Sequence, residues 1–328
     1  MEWNTYFGDK LSSSAHEYYI KLRNQFESGS YLKEQLFILP VGSRSSDDAF
    51  QEAHDALWAL FYDEPLFFNH NSTDIHYAPC PSSGEIIVDP GAIYSRAQCE
   101  HIKELLIEEL ELLTSGCGNL SEYEKARLVY ERVRTRYSYS AGIVTSDGEK
   151  LYEPDDYTAA GAVLRRSCVC SGYAAILMIA FRKIGLPCIR VRGASHAWVM
   201  VKINGIAVHC DVTNEPLTPN GDVPFTYFSL CENDILKSIQ VIESDVPRSM
   251  FSRYSYHEHY HCFFSTALEA ANYISAQFRK GESVVRVRLA EDGGKISTAI
   301  SMGIRNDPTS KYSWIKFDNL NSAIITKN

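Results

Sequence analysis

The sequence has no long apolar run. Its longest, from Ala174 to Phe181, is far too short to cross a bilayer, and the opening stretch from Met1 to Ser14 lacks the basic residues followed by an apolar core that a secretory signal requires. A cytoplasmic location without a membrane partner is therefore expected. Positive charge is not in surplus either. The 32 Lys and Arg residues against 41 Asp and Glu leave a formal charge of -9, so phosphate backbones exert no general attraction and nucleic acid is not an expected partner.

Metal and cofactor motifs are missing as well. The nine cysteines are odd in number and scattered, unlike the framework of a small disulfide-stapled domain. The one close pair, Cys168 and Cys170, has a single spacer rather than the two to four of zinc ligand pairs, and no second pair exists. His257, His259 and His261 alternate, which on a strand would put all three on one face, but an aromatic, half-exposed strand accounts for them without a metal. No EF-hand loop is present. Gly293-Gly294 lies between strand-like segments and reads as a hairpin turn rather than a phosphate loop. No metal or other cofactor is expected.

What is present is a globular composition, 45% hydrophobic and 22% charged, in a chain of 328 residues that exceeds the usual span of one core. Three regions are expected: a mainly helical one at 1–116, a central core at 117–263 and a small α+β region at 264–328. Helical spacing covers Ser46 to Phe61 and Cys99 to Leu113, while Tyr77 to Gly91, rich in Pro, Ser and Gly, reads as irregular. Ser121 with Glu124 makes a capping-box pattern that opens another helix. Residues Ser171 to Ile184 predict a buried helix stopped by Gly185 and Pro187, and Cys188 to Arg192 predicts a strand. Ala197 to Ile203 and Ile206 to Thr213 flank Asn204-Gly205, a strong hairpin signal because both residues accept positive φ. Further on, Thr266 to Arg279 reads as a helix, and Val285 to Leu289 and Tyr312 to Phe317 as strands.

Cys170 falls at the start of the buried helix, where aligned backbone dipoles favour a thiolate, and Gly172 keeps the approach open; Cys168 falls on the incoming loop. A two-residue turn at Asn204-Gly205 would oppose Trp198 to Asp211 and His196 to Thr213, making His196 and Asp211 diagonal neighbours on one face. Cys170, His196 and Asp211 thus read as nucleophile, base and orienting carboxylate. Tyr157 is a candidate for the oxyanion side chain. Asp147 to Glu149 and Glu153 to Asp156 read as a solvated loop near the cleft entrance.

The stretch Val169-Cys170-Ser171-Gly172-Tyr173-Ala174, with Gly185-Leu186-Pro187, His196-Ala197-Trp198 and His209-Cys210-Asp211-Val212-Thr213, resembles the core of the transglutaminase-like superfamily, most of all its bacterial cysteine peptidase branch. The resemblance runs from about Leu120 to Phe264. It departs from the family pattern at Cys168, Val199 and Asn214, where Gly, Asn and Trp are usual. It implies an α+β, papain-like fold and acyl transfer through a thioester on a peptide or protein substrate. A peptidase or amidase is the leading expectation, a protein-glutamine transglutaminase the alternative within the enzyme class, and an inactive peptide-binding or scaffold domain the alternative outside it.

Overall fold

The computed structural model describes residues 3–29, 35–80, 82–239, 242–243, 245–251, 254–305 and 310–328. The chain is α+β, as expected, and divides into two compact units. The first comprises Met1–Arg190 with His196–Val201, and the second Val191–Ser195 with Lys202–Asn328.

In the first unit, α1 (Ser13–Glu27) and α2 (Ser46–Asp63) begin at Ser12 and Ser45, whose side chains accept from Ala15 N and Asp48 N and so satisfy otherwise orphaned helix donors. Their apolar stripes meet in a core with Tyr18, Leu22, Leu57 and Leu60 fully buried. Each buried leucine there stabilises the fold by roughly 1.5–3 kcal/mol. One face of an antiparallel sheet adds Phe37 and Val88 to this core. Its strands β1 (Phe37–Pro40), β2 (His76–Cys80) and β3 (Glu85–Asp89) stand in the order β1-β3-β2. The expectation of an irregular segment at Tyr77 to Gly91 is therefore corrected, since Tyr77 pairs with Val88 and Pro79 with Ile86. Pro79 is tolerated because β2 is an edge strand, and Gly84 supplies the turn at φ 67°.

Helix α3 (Arg96–Thr114) opens on a complete Ser95/Gln98 capping box, and α4 (Glu122–Arg136) on Ser121 accepting from Glu124 N. There follow β4 (Ser138–Tyr139), a small hairpin of β5 (Ile143–Val144) and β6 (Lys150–Leu151), α5 (Ala159–Arg165), β7 (Ser167–Cys168) and α6 (Cys170–Lys183). β4 and β7 pair in parallel. Helix α6 packs against α3, α4 and α5, and every residue from Gly172 to Phe181 is buried, the reason its sequence is apolar all round. It ends in a Schellman motif: Gly185, at φ 80°, donates to Arg182 O, and Leu186 donates to Phe181 O.

Strands β8 (Cys188–Arg192), β9 (Ala197–Ile203) and β10 (Ile206–Cys210) form a sheet in the order β10-β9-β8. The Asn204-Gly205 turn has φ of 50° and 80°, the left-handed pair that the hairpin required. β10 stops at Cys210, three residues before the expected Thr213.

The second unit also holds two short helices, α7 (Glu232–Ile235) and α8 (Tyr256–His259), and a terminal layer of β11 (Phe263–Phe264), α9 (Ala267–Arg279), β12 (Val284–Leu289), α10 (Ile296–Ile304), β13 (Tyr312–Phe317) and β14 (Ser322–Lys327). Its sheet order is β11-β12-β14-β13, with Ile274, Val287, Ile300 and Ile325 in the core beneath the helices. Two expectations fail here. His257 and His259 lie on a helical turn, not a strand, so alternation does not align them. Gly293-Gly294 leads into α10 rather than a strand. The Asn321 amide donates to Ala290 O and Gly294 O and accepts from Ile296 N, so a residue 25 positions away caps this helix.

Candidate active site

The entrance to α6 is held from three sides. Val169 N donates to Asp156 O at 3.0 Å, Ser140 N donates to Cys168 O at 3.0 Å, and the Tyr173 hydroxyl donates to Tyr137 O at 2.7 Å. A Cβ on Gly172 would lie 2.5 Å from Asp156 O and 2.6 Å from Cys168 Cβ. Gly172 therefore serves the close approach of helix and loop, beyond the open access expected from the sequence. Asp155 and Asp156 are only 4% and 2% exposed, which corrects the reading of that stretch as solvated. Arg165 bridges both carboxylates at 2.6–2.7 Å, Tyr94 donates to Asp155, and Ser140 donates to Asp156 at 2.8 Å. Asp147 and Glu149, by contrast, are exposed.

On this support Cys170 becomes the first residue of α6, half-buried. Burial pushes its thiol up, but a hydrogen bond and charge from the His196 ring, with the N–H groups of Ala197 and Ser171, outweigh burial and hold it below the ordinary thiol range. Cys168 is fully buried, and burial first, then the charges of Asp156 and Cys170, push its thiol far up. The two cysteines are two residues apart and electrostatically opposite.

His196 immediately precedes β9, its ring stacked on Trp198 at 5.7 Å and 19°. The first unit therefore brings Cys170 and His196 together. Asp211 lies in the second unit, fully buried, one residue beyond β10. There its backbone N–H donates to Tyr227 O at 3.0 Å. The Asn214 amide donates to Asp211 Oδ2 at 2.7 Å, and buried Glu215 accepts from Thr226 N and Tyr227 N at 3.0 and 2.8 Å.

Two further residues had escaped the sequence analysis. Arg190 on β8 is 8% exposed, and its Nη1 donates to Ser171 Oγ at 3.1 Å. Burial lowers its pKa to about 10, opposed by the charges of Tyr62 and Cys170. Tyr139 is the other. Burial, then the charges of Cys170 and Tyr152, push its phenol well up, while the Cys170 backbone N–H acts the other way as a hydrogen-bond donor. Tyr139, rather than Tyr157, is thus the hydroxyl that meets the Cys170 N–H. No local signal marked Arg190, since an Arg in an alternating strand ordinarily faces water; Tyr139 stood among several equivalent tyrosines.

Residues 113–212 match the family model described as Transglutaminase-like superfamily, which bears out the resemblance over a stretch containing Cys170, His196 and Asp211. Among curated proteins nothing matches. Among solved structures, a chain described as a TGase is similar over 43% of this chain and 44% of its own, at 16% identity and a TM-score of 0.32. A Cytophaga hutchinsonii protein described provisionally as a cysteine protease is similar over 46% of this chain and 64% of its own, at 15% identity and a TM-score of 0.25. The chain thus spans less than two thirds of the length of either.

Proposed function

We propose that this chain, with its transglutaminase-like core, is a cysteine-dependent acyl-transfer enzyme that acts on peptide or protein amides, foremost as a peptidase or amidase of the cytoplasm. The observation that carries this reading is the placement of Cys170 at the start of α6 with the His196 ring hydrogen-bonded to its thiol. In this reading the Cys170 thiolate attacks the amide carbonyl. The C–N bond breaks, the His196 imidazolium gives its proton to the departing amine, and a thioester remains. His196 then takes a proton from water as it attacks, and the thiolate leaves. Asp211 is assigned to orient the ring, following the turn and the strand parity read in the sequence. We assign the Tyr139 hydroxyl, which the Cys170 N–H faces, as the donor to the developing oxyanion.

Iodoacetamide at neutral pH tests the reading. Cys170 should be alkylated ahead of the other eight cysteines, with a rate that falls at least about tenfold in His196→Ala. Uniform labelling would remove the activated thiol. A peptide library incubated with and without a primary amine then separates hydrolysis from cross-linking. Absence of any Cys170-dependent product would favour a binding role.

A further inference from the structure

The hairpin of β5 and β6 pairs Ile143 with Leu151 and Val144 with Lys150, and among the described residues these strands pair only with each other. A small hairpin standing in water would be expected to present polar side chains. Instead Ile143, Val144 and Leu151 are 61%, 68% and 53% exposed. The chain leaving β6 continues into Tyr152, whose ring meets Tyr139 edge-on at 6.3 Å and 87° and Tyr157 at 6.2 Å and 88°. Tyr139 and Tyr157 are themselves 47% and 40% exposed, and the charge of Cys170 raises both phenols after burial has done so. Apolar side chains are thus exposed on both faces of the hairpin, Ile143 with Leu151 on one and Val144 on the other, and the tyrosine row leads from β6 to Tyr139, whose strand β4 pairs with β7 just before the nucleophile. Apolar side chains clustered on so short a hairpin mark a site of interaction rather than ordinary exposure.

We infer that the β5/β6 hairpin and the Tyr139–Tyr152–Tyr157 row form one wall of the acyl-donor cleft, and that this wall takes an extended peptide segment with apolar or aromatic side chains next to the reacting amide. The inference rests on the reading of Cys170 as nucleophile. Proximity to Cys170 selects a substrate peptide as the occupant, because Tyr139 belongs to the row and also pairs, through β4, with Cys168 two residues before the thiol. The unpartnered strand edges offer main-chain hydrogen bonds to an extended chain, and alternate side chains of that chain would fall on the apolar positions. Charge acts in the same direction: exposed Asp147, Glu149 and Glu153 around the hairpin outnumber the Lys150 cation, so an acidic segment meets net repulsion.

The full chain is treated with two chloromethyl ketones, acetyl-Leu-Phe-Gly and acetyl-Glu-Glu-Gly, and with iodoacetamide. Alkylation of Cys170 is followed by mass spectrometry, and each peptide rate is divided by the same protein's iodoacetamide rate. The apolar reagent should be favoured about tenfold, the gain expected from partly burying two apolar side chains. In Ile143→Ser/Val144→Ser/Leu151→Ser that preference should fall below about threefold. All three positions are exposed, so the fold does not depend on them. An equal rate for the two reagents, or a preference undiminished in the triple variant, overturns the inference while leaving the nucleophile standing. Failure of iodoacetamide to single out Cys170 brings down both.

Discussion

Arg190 Nη1 donates to Ser171 Oγ, so a buried guanidinium is tied to the residue directly after Cys170. No carboxylate among the described residues pairs with it, and its Nε has no hydrogen-bond partner there. The groups that face it are Tyr62, the cation Arg182, His70, which burial holds neutral, and Cys170. An ionised Cys170 would offset a cation that is otherwise costly to bury.

Replacing Arg190 should accordingly shift the titration of Cys170. Burial is outweighed and the Cys170 thiol is held low, so removing a cation raises its pKa and depletes the thiolate first on the acidic side of its titration. In Arg190→Gln the iodoacetamide rate should fall several-fold on the acidic side of the titration and converge with the native rate at alkaline pH, with Arg190→Lys in between. A uniform fall across the pH range would mean that Arg190 only packs.

Gly172→Ala should be among the most damaging single changes in the first unit. The added methyl meets a backbone carbonyl at 2.5 Å, which cannot yield as a flexible side chain would. We expect a loss of about 2–3 kcal/mol in urea unfolding and slower Cys170 alkylation, since the start of α6 must move.

Acid should act through Asp155. Burial raises this carboxyl, but hydrogen bonds from Arg165 and Tyr94 prevail and hold it below its ordinary value. A group with a depressed folded pKa contributes stability above its unfolded pKa, about 3.9, and loses that contribution as pH falls through the folded value. Urea midpoints should thus decline below about pH 4, and this part of the decline should vanish in Asp155→Asn.

Arg165→Ala leaves Asp155 and Asp156 buried without their shared cation. Breaking a buried pair costs about 3–5 kcal/mol, and because the Arg165 side chain is 41% exposed, we expect about 2–3 kcal/mol in urea unfolding. Arg165→Lys should recover part of it, since an ammonium cannot reproduce the bidentate fork.

Tyr139→Phe removes the hydroxyl that meets the Cys170 N–H. Turnover of an amide substrate should fall roughly 10- to 100-fold if that hydroxyl donates to the oxyanion. The alkylation rate, which passes through no oxyanion, should change little.

Much of this was decided within a few residues of chain. Ser121 announced its helix because a capping side chain bonds an N–H three positions on. Gly185 and Asn204-Gly205 announced a helix end and a turn because positive φ is a local property. The same locality put Cys170 at a helix start and His196 at the head of a strand. Only the tertiary structure decided which groups would be buried and what would face them. Asp155 and Asp156 read as solvated until Arg165 and Tyr94 closed over them, and the Gly293-Gly294 segment became a helix entrance because Asn321 reaches back to cap it. Arg190, in an alternating strand, gave no sign that it would turn inward to Ser171. Backbone preference and capping act over one helical turn and are written in sequence order, whereas desolvation and charge pairing depend on neighbours that only folding brings together.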